Sequence, residues 1–195
     1  MATFTELCND VYTITKRPDL VDATKLAVKQ ATLKLHHSDY YYKDLVETGI
    51  QFGTSDYIQQ ADVKNFWPRF RTLKYFRRYQ DDSAMEFFEV VPPELIVDSY
   101  KIDRVNIAYV AGSVLQIRSR YPLQYALISF YQHPDITEAG FSSWIAQDHP
   151  FAIQFEAARF LFKSIGFDEQ SAAFEKLANE QLAEIKISNI SAVGY

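Results

Sequence analysis

A single cysteine, Cys8, stands among the 195 residues, so no intramolecular disulfide can form and nothing points to an oxidising compartment. Glycine is scarce at six residues. Gly49, Gly53 and Gly112 are isolated and match neither the phosphate-loop spacing nor the dinucleotide fingerprint. No apolar run reaches the ~20 residues that a membrane span requires, and Met1-Ala2-Thr3-Phe4-Thr5-Glu6 lacks the basic and apolar regions of a secretory leader. The expectation is a protein with no membrane role that assembles in the cytoplasm. Positive charge is short as well: 20 Lys and Arg against 25 Asp and Glu leave a net charge of −5. That balance argues against a protein that coats nucleic acid, which binds by neutralising phosphates, but it suits a surface that DNA merely passes.

What the chain has in quantity is apolar and aromatic surface. Apolar residues make up 48%, enough for a substantial core, and thirteen Tyr with fifteen Phe bring the aromatic share to 15%. Tyr and Phe give large contact area at small rotamer cost, which favours interfaces as well as cores.

The hydrophobic period changes twice along the sequence. Thr3 and Glu6 form a capping-box signature, and Phe4, Leu7, Val11 and Ile14 recur at helical spacing, predicting a helix to about Lys16. Pro18, followed by Asp19 and Asp22, predicts the opening of a second helix whose face is Leu20, Ala23, Ala27, Ala31 and Leu35. Beyond Ser38 the pattern becomes extended. Strands are expected over 40–52, Phe70 to Tyr79, Glu86 to Val91, Val105 to Val110, Ser113 to Arg118 and Leu123 to Tyr131. A turn at 80–83 makes a hairpin of the second and third, and Pro92-Pro93-Glu94 opens a short helix to about Tyr100. Helical spacing returns after Asp148, read as an N-cap with Pro150 in the first turn, through Phe151, Phe155, Ala158 and Phe162 to a stop at Gly166. Asp168 caps a last helix carrying Phe174, Leu177, Ala178, Leu182 and Ile185 on one side.

The expected fold is therefore α+β. Terminal helices (1–38 and 141–187) pack as a bundle, a β-rich insertion (40–132) forms a small antiparallel sheet, and 188–195 is an extended C-terminal tail. The tail's only charge past Lys186 is the terminal carboxylate. Ile187, Asn189, Ile190, Val193 and Tyr195 are candidate partner-binding residues, through strand addition; the other reading folds the tail back on its own domain.

The one basic run is Lys64, Arg69, Arg71, Lys74, Arg77 and Arg78, interleaved with Phe66, Trp67, Phe70, Tyr75, Phe76 and Tyr79. Bases alternating with rings are what single-strand binders use for phosphate attraction and stacking. On a regular strand Arg71, Tyr75, Arg77 and Tyr79 share one face, and Phe70, Lys74, Phe76 and Arg78 the other. Neither face is purely basic, so Trp67 and the five arginine and lysine positions from Arg69 to Arg78 are candidates for a subunit interface or a DNA-facing surface. His36-His37-Ser38-Asp39 reads as a helix end with His near the negative terminus, since adjacent helical residues point about 100° apart and no second cluster completes a metal shell. Ser142 or Ser143 with Asp148 and His149 lacks the nucleophile-elbow pattern, and Cys8 reads as a small buried apolar residue. No catalytic residue, metal or cofactor is expected.

Tyr75, Glu86 to Val91, Asp98-Ser99-Tyr100, Tyr109-Val110-Ala111-Gly112 and Leu115-Gln116-Ile117-Arg118 recur in a familiar layout. With them go Ser143-Trp144-Ile145, Pro150, Ile153, Glu156-Ala157-Ala158, Gly166, Asp168-Glu169 and Asn189-Ile190. Together these resemble the head-to-tail adaptor (connector) proteins of tailed bacteriophages over nearly the whole chain. The resemblance implies a non-enzymatic virion protein, assembled in the host cytoplasm into a homo-oligomeric ring, commonly of twelve copies, that docks beneath the portal protein. A tail or nozzle protein would lie below, the C-terminal segment would reach the portal, and genomic DNA would pass through the channel. A neighbouring head- or tail-completion ring, or a nucleic-acid module centred on 64–79, are the alternatives.

Overall fold

The computed structural model describes residues 2–78, 86–97 and 101–193, except the side chains of 191–193. It divides into two compact units, Met1–Asp44 with His133–Tyr195, and Leu45–Gln132. Helix and strand are both present, helices towards both chain ends and a small sheet in the middle, as α+β requires.

The first unit is helical. In α1 (Phe4–Thr15) the Thr3 side chain accepts from the Glu6 N–H while the Glu6 carboxylate takes the Thr3 N–H, the capping box read from the sequence. Phe4, Leu7, Cys8 and Val11 make its buried stripe. The second helix, α2, spans Val21–His37, starting three residues later than Pro18 predicts. Residues 17–20 form a turn instead, closed by the Leu20 N–H donating to Arg17 O and by a two-pronged Arg17–Asp19 pair.

After the sheet-bearing segment come α4 (Trp144–Asp148), α5 (Pro150–Ser164) and α6 (Asp168–Val193). Asp148 is not the N-cap of α5; it ends α4 and its carboxylate takes the Lys43 ammonium, while Ser143 caps α4. Helix α5 is the centre of the unit, packing against α1, α2, α4 and α6. Its small residues Ala152 and Ala157 share a core cluster with Ala27 and Ala31 of α2, alongside Leu7, Val11, Leu35, Ile153 and Leu161; small side chains let helix axes approach closely. Of the expected aromatic stripe, Phe162 is buried but Phe151 is exposed. Gly166, at φ 79°, stops α5, with the Phe167 N–H closing back on Phe162 O, the left-handed helix ending that glycine permits.

The extended tail is not there. Helix α6 runs on to Val193, because its inward stripe continues past residue 186 in helical register: Ala178 and Ile185 are buried and Leu182 and Asn189 half-buried. The Asn189 side-chain oxygen accepts the Tyr42 N–H at 3.2 Å, a contact that an extended chain would not place there. Tyr195 lies outside the described residues.

The second unit contains β1 (Leu45–Asp62), α3 (Val63–Phe66), β2 (Phe70–Arg78), β3 (Phe87–Val90), β4 (Ile107–Ala111) and β5 (Val114–Gln132), with single turns of tighter helix at Tyr42–Asp44, just before the unit, and Pro93–Leu95. The β2–β3 pair is antiparallel as expected; the turn at 80–83 and the Asp98-Ser99-Tyr100 end of the short helix lie outside the described residues. Two expected strands, 113–118 and 123–131, are one strand, β5, since its pairing with β1 resumes on both sides of a bulge. Asp56 faces Leu123 and Ile58 faces Arg118, so the extra residues, Pro122 among them, sit in the bulge, where proline forfeits no ladder bond. Gln59 fills it: its Nε2 donates to Thr54 O and Leu123 O, at 2.6 and 2.8 Å.

The sheet is also not a simple antiparallel one. Strand β5 pairs with β2 along one half and β4 along the other, while β3 bridges β2 and β4, the latter in parallel. The four strands β2, β3, β4 and β5 thus close into a small barrel, with β1 on the outer edge of β5. The parallel pair arises because 91–106 is a long crossover and not a hairpin turn. Phe76, Phe88, Leu115, Ile117, Leu123 and Ile128 fill the interior.

Candidate functional site

Within the helical unit a buried polar cluster joins three segments distant in sequence. His36 lies in the last turn of α2, Asp44 lies just before β1, and Ser143 caps α4 with Trp144 its first residue. A carboxylate can only accept, so His36 carries its proton on Nδ1 and donates to Asp44 at 2.8 Å. Its Nε2 and the Ser143 hydroxyl are hydrogen-bonded at 2.9 Å. Trp144 Nε1–H donates to the same carboxylate at 2.8 Å, with its ring edge-on to both His36 and Tyr41.

Ser143, His36 and Asp44 share the connectivity of a hydrolytic relay, yet their setting differs from one. Ser143 is 5% exposed. Its oxygen also accepts the Ala146 N–H at 3.2 Å as the α4 cap, so both sides of the hydroxyl are occupied and a carbonyl carbon has no approach. The cluster works as a staple. Asp148 serves Lys43 and His149 packs on Trp144. His37 instead meets His133, ring nitrogen to ring nitrogen, at 2.9 Å. Among the described residues no three His, Cys, Asp or Glu side chains are placed to hold a metal.

Cys8 lies in the α1 core stripe, where burial pushes its thiol up to about 11. A thiol that stays protonated at neutral pH is a poor nucleophile, in keeping with the apolar role read from the sequence. A second buried acid, Glu156 on α5, is satisfied by Arg159 and by Lys34 of α2.

The candidate partner residues at the C-terminus fall on opposite sides of α6. Asn189 faces inward to Tyr42. Ile187 and Ile190 face outward, 65% and 56% exposed, about half a helical turn from the buried Ala178–Ile185 stripe. Val193 closes the helix.

The basic run is dispersed. Irregularities in β2 between Phe70 and Thr72, and again between Leu73 and Tyr75, shift the alternation that would have sorted it into two faces. Phe76 is in the barrel core and Trp67 packs on Phe130. Arg77 pairs with Glu47 and lies over the Tyr75 and Phe87 rings, while Arg78 lies over Tyr121. Arg69 and Lys74 are exposed and Arg71 half-buried. Glu47 is held below the usual carboxylate range by hydrogen bonds from Tyr75 and Arg77.

The staple escaped sequence reasoning because Ser143 stands 107 residues from His36; no local pattern marks it. No protein-family model matches the chain, and no curated protein matches it.

Proposed function

We propose that the chain is a virion structural protein, a head-to-tail adaptor that packs side by side into a ring between the portal and the tail or nozzle, with the genome passing through its channel. The observation that carries this reading is the outward face of α6. A terminal helix that already buries one stripe and still exposes Ile187 and Ile190 offers an apolar surface to another protein. The mode is helix-in-groove docking, since 187–193 is helical and cannot add as a strand. Such a role needs no covalent chemistry. The sequence resemblance supplies the identity of the partners: neighbouring copies, the portal protein above and the tail or nozzle protein below.

Deleting Ser188 to Tyr195 tests it. The Asn189–Tyr42 bond contributes about 1 kcal/mol, so the truncated chain should keep its far-ultraviolet circular dichroism and melt only slightly earlier. It should fail to join portal-bearing particles in an assembly assay read by electron microscopy. Particles completed normally by the truncated chain would sink the proposal.

A further inference from the structure

We propose that the outer edge of β1, over 46–52, pairs with the same edge of a second copy of this chain, antiparallel about a two-fold axis at Gly49. The inference does not rest on ring formation. A two-fold pair closes on itself, so it describes the free protein and does not use the outward face of α6.

Closure of the barrel isolates this edge. Strands β2, β3, β4 and β5 each have a paired strand on either side, whereas β1 pairs with β5 alone. In an antiparallel ladder every second residue turns its N–H and C=O away from the neighbouring strand, and among the described residues nothing else bonds the backbone of 45–52. A row of unpaired groups is a template for another strand. The usual defences are missing, since the segment contains no proline, lysine or arginine. Its one charge, Glu47, is taken up by Tyr75 and Arg77 of its own sheet. The register with β5 breaks after Gln51, which ends the straight part of the edge near Phe52.

Charge and side-chain pattern make a second copy the occupant. The segment 45–132 holds ten Lys and Arg against ten Asp and Glu, so the net charge of −5 belongs to the helical unit and two barrels meet without net repulsion. Along the edge, Ile50 and Phe52 join the barrel's core cluster with Val46 packed on it, while Glu47, Gly49 and Gln51 are exposed on the other side. Residues directly opposite each other in a ladder point to the same side, so the axis falls on a residue. At Gly49 it sets Val46 beside Phe52 and Thr48 beside Ile50 of the second copy, which continues one apolar row, and sets Glu47 beside Gln51. An axis at Glu47 or Thr48 brings the two Glu47 carboxylates opposite or diagonal to each other, a like-charge contact. Gly49 also leaves room, since a Cβ there would meet nothing nearer than Ala126 O at 4.0 Å.

The test is sedimentation equilibrium of the purified full-length chain. A single strand edge makes a small interface, so the expected dissociation constant is on the order of 10⁻⁵ M. Gly49→Lys sets two ammonium groups face to face at the axis and should weaken the pair about fivefold. Tyr57→Lys, also exposed on β1 but beyond the break in register, should leave it unchanged. Gly49→Cys supplies a gain that misfolding cannot produce: a short bis-maleimide should join it into a covalent dimer, and Tyr57→Cys should stay unjoined under the same treatment. Cys8, buried and protonated at neutral pH, does not compete for the reagent. A chain that stays monomeric at about 10⁻⁴ M, a Gly49→Lys pair as tight as wild type, or equal cross-linking at 49 and 57 overturns the proposal. So does loss of the dimer on deleting Ser188 to Tyr195, which would assign self-association to α6. Closed species larger than two copies would overturn the two-fold pairing and leave the adaptor reading standing.

Discussion

Ser143, His36 and Asp44 illustrate at the residue scale how one hydrogen-bond pattern serves different ends according to access. Shut away behind Trp144, the relay holds three chain segments together. Removing one partner strands a buried charge or donor, and that loss is larger than the value of the bond itself. Asp44→Ala, which strands the His36 and Trp144 donors, should therefore lower stability by about 2–4 kcal/mol, and Ser143→Ala, which loses a cap, by about 1–2 kcal/mol, both read as shifts in urea midpoint. A smaller loss for Asp44→Ala than for Ser143→Ala would contradict the assignment. This cluster was illegible beforehand, since its members are brought together only by the folded helices. The Thr3–Glu6 capping box was legible in full, because both halves of it lie within one turn.

Between elements, what matters is which strands a side chain can reach across. Glu47 of β1 and Tyr75 of β2 both stand opposite Ser129 of β5. Ser129 is small and buried, so the longer side chains can meet over it, where Tyr75 and Arg77 donate to Glu47. This cross-strand row carries a pH dependence of known sign. The folded state holds the Glu47 carboxyl below its ordinary value of 4.5, so its contribution is complete above that value and is lost as pH falls through the lowered one. The stability difference between wild type and Glu47→Gln should be present at neutral pH and vanish in acid, measured as urea midpoints across a pH series. A difference that grows on acidification would refute it. Element types were mostly readable from period and punctuation, whereas the merging of two strands into β5 and the parallel β3–β4 pair were not. Both depend on bulges and on a crossover, and neither leaves a periodic trace. The α6 tail misled because its uncharged, β-branched composition outweighed, in a linear reading, the helical stripe that Ile185 and Asn189 complete.

For the molecule as a whole, the division into units follows the cores. One cluster draws only on residues before 45 and after 132, and the others only on residues between them. The ends of the inner unit are neighbours, since Leu45 stands opposite Tyr131 in the β1–β5 ladder. Replacing 45–132 with a short glycine-serine linker should leave the helical unit cooperatively folded, because a short loop costs little closure entropy. The check is a thermal melt followed at 222 nm; loss of a sigmoidal transition would show that the helices need the barrel. The change from helical to extended spacing in the sequence falls after Ser38, a few residues before β1 begins at Leu45.

Interleaving of the two units sets an order on synthesis. The amino-terminal helices α1 and α2 leave the ribosome well before α5, the element that covers them. The barrel between them needs nothing from residues still untranslated and can close first. Until α5 emerges, Val11, Val28 and Leu35 remain naked to chaperones and to other nascent chains, so the vulnerable moment in this protein's life comes midway through translation.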